Sequence, residues 1–345
     1  MPAWIALLAP GCVPRAVVLD GLHSPNHVDT NALSGPLLLG NYVVLYFMQI
    51  QTLAQTLGRL TVRKVVEMES GLPLPAMFPA VNSADLATMA RWWRDPAFTS
   101  EPAGSTLMLS MHSYVISLDG ANVLIDACNG NCKQRSLPFI NMLDTPYMGN
   151  LEAAGVSPEE IDLVLCTHLH FDHVGWNTRL ENGRWVPTFP NARYIFGKRD
   201  YEHWASQHED ALHREAFIDS VLPVVEAGLA EIIDVESETP VFQAIGDGIW
   251  LEPAFGHSPG CCVIHAQAGG AKALFWGDVI HHPIQLVRPE LPLMFDHDPA
   301  LAATVRQALL NRVADTDTMC FPAHFRGNSA GYVRRDGSRF RYDFV

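Results

Sequence analysis

Residues 167–177 read Thr-His-Leu-His-Phe-Asp-His-Val-Gly-Trp-Asn. Four of these side chains are metal-ligand types, namely His168, His170, Asp172 and His173. Packing alone has no use for three imidazoles and a carboxylate so close together. Imidazole suits Zn, Fe, Ni or Cu, and a carboxylate beside it favours a hydrolytic or oxygen-handling metal over a structural zinc closed by thiolates. The segment therefore predicts a catalytic metal centre.

The sequence just before this cluster predicts where it lies in the fold. Residues 161–166 form a short apolar run that is typical of a buried strand, so the cluster falls in the loop at its carboxyl end. Loops at that edge of a sheet converge and carry reactive side chains. If a helix begins after His170, Asp172 and His173 point away from His168. One loop can then supply two metal ions about 3.5 to 4 Å apart.

Three later apolar runs also end on metal-ligand types. They are residues 249–255 before His257, residues 273–276 before Asp278, and residues 318–321 before His324. An unligated surface cluster of histidines is the alternative interpretation. It gives no reason for further ligand types at three strand ends, so metal binding is favoured.

With these residues in view, the chain resembles the metallo-β-lactamase fold superfamily of binuclear metallohydrolases, from about Leu60 to the C-terminus. The His-x-His-x-Asp-His signature and the later His, Asp and His occur in the family's order. The resemblance implies an α/β fold, an αβ/βα four-layer sandwich made of two similar halves. It also implies a ligand set, with His168, His170 and His257 on one metal, Asp172, His173 and His324 on the other, and Asp278 bridging both.

Within the superfamily, the chain is most similar to the lactonase, arylesterase and organophosphate-hydrolase group. Asp278 stands where several β-lactamase classes place a Cys. Acyl-homoserine lactonases typically carry a Tyr three residues after the bridging Asp, whereas this chain has His281. A histidine there is more similar to methyl parathion hydrolase-like enzymes.

The expected activity is hydrolysis of a carboxylic ester or lactone by two divalent ions, Zn first, with Mn or Fe as alternatives. Metal-bound hydroxide would be the nucleophile, because two cations lower the pKa of a bridging water toward about 7. Asp278 would hold the bridge and Asp172 would accept the proton. His281 or His282 would donate a proton or a hydrogen bond to the leaving group. Alternatively, one of these two packs beside Pro283 or hydrogen-bonds a ligand.

Two further functions stay open from the sequence. One is hydrolysis of organophosphate triesters, and the other is an iron-dependent oxidoreductase of the same fold. Histidine and aspartate accept several divalent ions, so the ligand types do not choose the metal. A binding protein with an inert site fits poorly with a complete ligand set.

Composition restricts the partners of the chain. Its 345 residues are 48% hydrophobic and can bury a large core, and the formal net charge is -14. Binding to phosphate backbones needs basic surface, so nucleic-acid partners are disfavoured, as is adsorption to anionic membranes. We expect a small-molecule substrate, no nucleic acid and no membrane, with a homodimer as the candidate assembly.

The cysteines favour a reducing compartment. Their number is odd, and they stand at positions 12, 128, 132, 166, 261, 262 and 320. This spacing shows no disulfide framework, and Cys128 with Cys132 lacks a second pair at zinc-site spacing. We therefore expect structural roles for all seven and a cytoplasmic location.

The N-terminal part is the least similar to the family. Residues 1–47 are rich in Pro, Gly and apolar residues, and their longest apolar run is shorter than the roughly 20 residues that span a bilayer. The first strand is predicted to begin at Leu60. We hypothesise that Met48 is the natural start, that the preceding extension is disordered or not part of the native chain, and that residues 48–345 form the catalytic domain.

Coarse patterns complete the prediction. Helices are expected over residues 83–93, over much of residues 198–228, and from Asp298-Pro299, with a hairpin turn at Asp336-Gly337. A set of aromatic residues could line an apolar substrate cleft, although core packing is the favoured alternative. The set is Trp176, Tyr194, Phe196, Tyr201 and Trp204.

Overall fold

The computed structural model describes residues 44–46, 53–81, 106–207, 210–244 and 247–345. In these residues the first sheet has the order β1-β3-β4-β5-β6-β9-β10, with β2 paired to β3, and β7 and β8 form a separate hairpin. The strands are β1 (Val44–Tyr46), β2 (Leu53–Leu57), β3 (Leu60–Pro73), β4 (Thr106–Leu118), β5 (Ala121–Ile125), β6 (Leu163–Leu165), β7 (Thr178–Glu181), β8 (Arg184–Pro187), β9 (Arg193–Gly197) and β10 (Ala230–Ile233).

The second sheet runs in chain order from β11 to β17. Its strands are β11 (Thr239–Ala244), β12 (Asp247–Pro253), β13 (Cys262–Ala268), β14 (Ala271–Phe275), β15 (Met319–Phe321), β16 (Gly331–Asp336) and β17 (Arg339–Phe344). Most neighbours are antiparallel, but β14 and β15 are parallel. In the first sheet, β5, β6, β9 and β10 are parallel to one another. These parallel strands set the edge at which the candidate ligands meet.

Helices flank the two sheets. The α-helices are α1 (Leu74–Met77), α2 (Tyr147–Ala153), α3 (Phe171–Val174), α4 (Lys198–Ser206), α5 (Ala211–Ala216), α6 (Leu222–Glu226), α7 (Ile284–Val287) and α8 (Pro299–Val313). Short 3-10 turns cover Pro138–Ile140, Pro158–Glu160, Gly175–Asn177 and Gly277–Val279, and Phe217–Val221 is a π-helical turn.

Alternating side chains on the strands separate three hydrophobic cores. On β5, Val123 and Ile125 point into the core between the two sheets, while Leu124 points into the core under the helices of the first half. On β14, Ala273 faces the other sheet and Leu274 faces the core that includes residues of α8. Because strand side chains alternate between faces, three cores mean four layers. The predicted four-layer αβ/βα sandwich is confirmed.

The predicted helical stretch over residues 198–228 is broken into shorter pieces. Pro223 has no N–H, so it cannot donate to the carbonyl of Asp219 one turn earlier. That carbonyl accepts instead from Thr178 Oγ1 at 2.5 Å and from Lys133 Nζ at 3.3 Å. The π-helical turn lies at this break, and α6 begins just after it.

Several boundaries agree with the sequence and one does not. Asp298 caps α8 by accepting from Leu301 N at 3.0 Å, and the turn at residues 336–337 joins β16 to β17. Leu60 begins a strand, β3, but the prediction that this strand is the first is wrong. Strands β1 and β2 precede it in the chain, and both pair with it. The predicted helix over residues 83–93 lies outside the described residues.

Strand β1 lies on the N-terminal side of Met48, within the predicted extension. Residues 1–43 fall outside the described part of the chain, so the natural start stays a prediction. Within the described ranges, none of the helices combines the length and the apolar character that a bilayer-spanning segment needs.

Candidate metal centre

The predicted ligands come together where strands of both sheets end. The loop after β6 carries His168 and His170, and α3 then carries Asp172 and His173 in its single turn. His170 keeps extended backbone angles at the N-cap, so the chain changes direction between the two ligand pairs. The second sheet supplies the remaining ligands, which are His257 after β12, Asp278 after β14 and His324 after β15.

Asp278 lies at the centre of this cluster. Its Oδ2 is 3.2 Å from His257 Nε2 and 3.7 Å from His168 Nε2. Its Oδ1 is 2.9 Å from His324 Nε2 and 3.2 Å from His173 Nε2. The two oxygens of one carboxylate therefore face two different groups of histidines, as a bridging ligand would.

The donor atoms form three groups whose members lie within 4.8 Å of one another, and the third group, Asp278, His281 and His324, shares one residue with each of the other two. The first group is His168, His170, His257 and Asp278, and the second is Asp172, His173 and His324. His170 Nδ1 is 3.0 Å from His257 Nε2, and Asp172 Oδ2 is 3.8 Å from His324 Nε2. Four ligands held tetrahedrally at about 2.0 to 2.1 Å from a zinc ion are about 3.3 Å apart. The observed separations fit that spacing.

Unsatisfied polar atoms identify what the centre is built to bind. His168 Nε2, His173 Nε2 and Asp278 Oδ1 are all buried, and none makes a hydrogen bond of acceptable angle. Orphaned buried groups cost about 1–3 kcal/mol each in proteins, so such convergence needs a compensating ligand. A pair of divalent cations satisfies nitrogen and carboxylate donors of this kind. The residues therefore fit two metal ions.

Charge within the cluster is balanced by the carboxylate. Burial acts to raise the pKa of Asp278, but His173, His281 and His324 outweigh it and hold that pKa well below its usual range. Burial lowers the pKa of His168 well below its ordinary value, which leaves that ring neutral. Against burial, Asp278 and Asp296 raise the pKa of His257 to about 9. His257 is therefore protonated at neutral pH, and metal binding to its Nε2 would displace a proton from that nitrogen.

Asp126 orients the second metal group from behind. It follows β5 with a φ of 55° and accepts from Thr167 N at 2.8 Å. Its Oδ2 is 2.9 Å from His173 Nδ1, so the ring presents Nε2 to the centre. Sequence reasoning did not identify Asp126 as a functional residue.

Asp200 joins the two loops that form the first metal group. Its buried carboxylate accepts from Leu169 N at 2.9 Å, Ser258 Oγ at 2.8 Å and Gly260 N at 2.6 Å. A Cβ at Gly260 would lie 2.5 Å from Asp200 N, so only glycine permits this approach. Since Leu169 separates His168 from His170, Asp200 fixes these ligands relative to the His257 loop. Sequence reasoning missed this residue.

The sequence profile described as "Metallo-beta-lactamase superfamily" matches residues 109–324, which is more than half of the chain. The chain belongs to the metallo-β-lactamase superfamily. No curated protein matches its sequence at a significant level.

Several solved structures share the fold at low sequence identity. One, described as "AidC, a Dizinc Quorum-Quenching Lactonase", has a TM-score of 0.70 and 19% identity and covers 85% of this chain and 97% of its own. The hydrolase AbOPH has a TM-score of 0.70 and 20% identity and covers 86% and 99%. A probable metal-dependent hydrolase from Staphylococcus aureus has a TM-score of 0.65 and 18% identity and covers 84% and 99%.

A cavity of about 430 Å³ opens directly onto the candidate metal centre. Its apolar lining comprises Leu72, Pro73, Ala76, Met77, Leu109, Met111, Leu137, Pro138, Phe139, Ile140, Phe171, Met294 and Phe295. Its polar lining comprises His170, Asp172, His213, His257, Asp278, His281 and His324. No Lys or Arg is among these lining residues, so the cavity suits a neutral, apolar molecule.

The aromatic residues proposed from the sequence as a cleft do not line this cavity. Tyr194 and Phe196 are fully buried in the core under the first sheet, and Trp176 donates to Glu67 at 2.7 Å. Trp204 lies behind the wall and stacks on His213. Tyr201 is partly buried against the same core. The cleft assignment is therefore wrong, and packing against the core is confirmed. Aromatic residues that pack in a core and those that line a pocket have similar spacing along the sequence. Only the tertiary contacts distinguish the two cases.

The structure separates the two histidines that the sequence left undecided. His281 lines the cavity, and its Nε2 is 2.8 Å from Asp278 Oδ2. His282 does not line the cavity, and its Nδ1 accepts from Ile284 N at 3.2 Å at the start of α7. Of these two histidines, only His281 therefore faces both Asp278 and the cavity.

The cysteines take no part in the metal groups found among the described residues. Free, buried thiols are Cys128, Cys166, Cys261, Cys262 and Cys320. Burial raises the pKa of Cys128 and of Cys261 well above the ordinary value, which makes both thiols inert. Cys132 is in a disulfide, which the sequence analysis does not expect. The cytoplasmic location stays a prediction.

Asp278→Ala should abolish tight binding of two zinc ions while the far-UV circular dichroism stays that of the wild type. The loss should exceed the roughly 10–100-fold in metal affinity that removal of an outer-shell partner costs, because a shared ligand is removed. Metal content of the dialysed protein, measured by mass spectrometry of the elements, checks this. Retention of two ions per chain would contradict the bridging position.

Phe196→Ala should lower the free energy of unfolding by about 3–5 kcal/mol, since a fully buried phenyl ring leaves a void. Zinc stoichiometry should not change, because Phe196 contacts neither the cavity nor a ligand group. Urea denaturation followed by tryptophan fluorescence measures the first quantity. A variant of normal stability would show that Phe196 is not a core residue.

Proposed function

We propose that the chain is a two-metal hydrolase that cleaves the carboxylic ester or lactone bond of a neutral, apolar small molecule. The observation that carries the proposal is the position of Asp278, whose two oxygens face two ligand groups at the end of an apolar cavity. Superfamily membership and the fold shared with a lactonase support it.

Zinc is the proposed metal in both groups, with manganese or iron as alternatives. The ligands would be His168, His170 and His257 in one group, Asp172, His173 and His324 in the other, with Asp278 shared. When bound, the ions would activate water for attack and polarise the carbonyl oxygen of the substrate. Histidine and carboxylate donors without thiolate are typical of hydrolytic sites.

Three side chains of the protein face the reacting bond. Asp278 holds the centre together, and Asp172 has a partly exposed carboxylate at the cavity surface, where it can accept a proton from water. His281 directs Nε2 to Asp278, and its Nδ1 is buried without a hydrogen-bond partner. With Nε2–H directed to Asp278, Nδ1 would accept a proton released from the attacking water and pass it to the leaving oxygen.

The lining of the cavity argues for a substrate with an apolar chain or ring. Met77, Met111 and Phe139 come from three separate segments and enclose the space in front of the metal groups. Flexible thioethers fill irregular gaps, so such a wall accommodates several acyl or aryl shapes. No Lys or Arg is among the lining residues, which disfavours substrates that carry an anionic group away from the metal ligands.

An organophosphate triester is the second candidate substrate. Such a molecule is neutral, and a histidine at the position of His281 resembles methyl parathion hydrolase-like enzymes. An iron-dependent oxidoreductase would use the same ligands. These candidates differ in measurable ways. A phosphotriesterase requires turnover of phosphotriesters with zinc or manganese, and an oxidoreductase requires iron and a redox change in the substrate.

Hydrolysis rates of esters with lengthening acyl chains should report on the cavity. Burial of each methylene is worth about 0.8 kcal/mol, so kcat/KM should rise by up to about fourfold per added CH₂ until the cavity is full. The panel includes matched lactones, aryl esters, phosphotriesters and a β-lactam, each repeated after chelation. Absence of chelator-sensitive turnover across the panel at full zinc or manganese occupancy would count against the ester and lactone proposal.

His281→Ala should lower kcat by about 10²-fold or more while zinc content stays at two ions, because a proton-transfer group is lost from the cavity. His282→Ala is the matched control, since it removes the adjacent buried imidazole that accepts from Ile284 N. We expect it to reduce thermal stability with kcat nearly unchanged. Equal loss of kcat in both variants would remove His281 from the proposed mechanism.

A further inference from the structure

The metal-ligand candidate His257 is held from behind by a buried ion pair. Asp296 Oδ1 lies 3.1 Å from His257 Nδ1, and Asp296 Oδ2 lies 3.6 Å from an Nη of Arg306. The side chains of Asp296 and Arg306 are both fully excluded from solvent. A buried carboxylate cannot donate here, so the proton between the first two residues belongs to His257 Nδ1, which leaves Nε2 to face Asp278.

The same carboxylate fixes one wall of the cavity. Asp296 Oδ2 accepts from Leu293 N at 2.9 Å, which closes a tight loop around Met294 and Phe295. Both of these residues line the cavity. The next residue along, His297, donates its N–H to the carbonyl of His257 at 3.0 Å. The wall segment and the loop that carries His257 are therefore joined by side-chain and backbone hydrogen bonds.

Arg306 extends this connection to the bridging residue. Its Nε donates to Val279 O at 2.7 Å, immediately after Asp278. Its Nη1 donates to Pro289 O at 2.7 Å and to Leu291 O at 2.8 Å, at the start of the wall segment. A planar guanidinium can satisfy three carbonyls and face a carboxylate at once, which an ammonium cannot do with the same geometry.

We propose that Asp296 and Arg306 are positioning residues that couple the cavity wall at Met294 and Phe295 to the metal ligands His257 and Asp278. The pair sets the tautomer and direction of His257 and fixes the strand end that carries Asp278. Loss of the pair lowers metal affinity and loosens the substrate wall together. The expected effect on substrate binding rests on the proposed function, whereas the expected effect on metal affinity does not.

Asp296→Asn and Arg306→Lys test the proposal, with Arg135→Lys as the matched control. Arg135 is also buried and pairs with Asp219 at 2.6 and 3.0 Å, but it has no contact with a ligand residue. Zinc affinity is measured by competition with a chromophoric chelator, and the visible absorption of the cobalt-substituted protein reports the ligand geometry. Both measurements are independent of any hydrolytic activity.

We expect Asp296→Asn to weaken zinc binding by about 10–100-fold and to shift the cobalt spectrum. Arg306→Lys should give a smaller change in the same direction, because lysine can still pair with Asp296 but not reach all three carbonyls. Arg135→Lys should lose stability and keep its zinc affinity within about twofold, the precision of the competition. In an ester series, Asp296→Asn should raise KM most for substrates that are large enough to contact Met294 and Phe295.

Wild-type zinc affinity and cobalt spectrum in a folded Asp296→Asn protein would overturn the proposal. So would an equal loss of affinity in Arg135→Lys, since general destabilisation would then explain both. If Asp296→Asn does not fold, Arg306→Lys decides by the same criteria. Loss of zinc affinity without any esterase activity in the wild type would support the positioning role and reject the proposed substrate class instead.

Discussion

The burial of one carboxylate, that of Asp278, is the constraint on which the rest of the structure depends. An ionised carboxylate in a protein interior is costly unless charges or hydrogen bonds compensate it. Here His173, His281 and His324 offset the cost of burying the charge, and His257 Nε2 lies 3.2 Å from Oδ2. Those histidines belong to two different sheets, so the centre can exist only when both halves of the sandwich are assembled.

Three further buried carboxylates keep the histidines in place. Asp126 accepts from the loop after β6 and orients His173, and Asp200 ties that loop to the segment after His257. Asp296 fixes His257 itself. Each acceptor satisfies donors from segments that are distant in the chain. This arrangement explains why short loops, which alone have little stability, can hold ligands at separations suited to metal ions.

The ligands were predictable from the sequence because their signal is local. A cluster of His and Asp after a buried strand needs no tertiary information, and His257, Asp278 and His324 each follow an apolar run. The four-layer architecture was implied by the resemblance to the superfamily and not by the periodicity of the strands. The resemblance to the superfamily supplied the pairing of ligands into two groups.

The supporting residues and the cavity were not predictable in this way. Asp296 lies 39 positions from His257 in the chain, and nothing beside it marks it as a partner. Trp204 and Phe196 look like cleft residues in sequence, yet their contacts place them in the core. The choice between His281 and His282 depends on which ring faces the cavity. Two adjacent histidines cannot be distinguished in this respect from the sequence alone.

The most direct test of the central claim is a crystal structure of the zinc-loaded protein with anomalous data collected on both sides of the zinc absorption edge. The account predicts two zinc ions per chain, each in contact with one oxygen of Asp278, one beside His168, His170 and His257 and the other beside Asp172, His173 and His324. A single ion, or two ions that do not share Asp278, would contradict it.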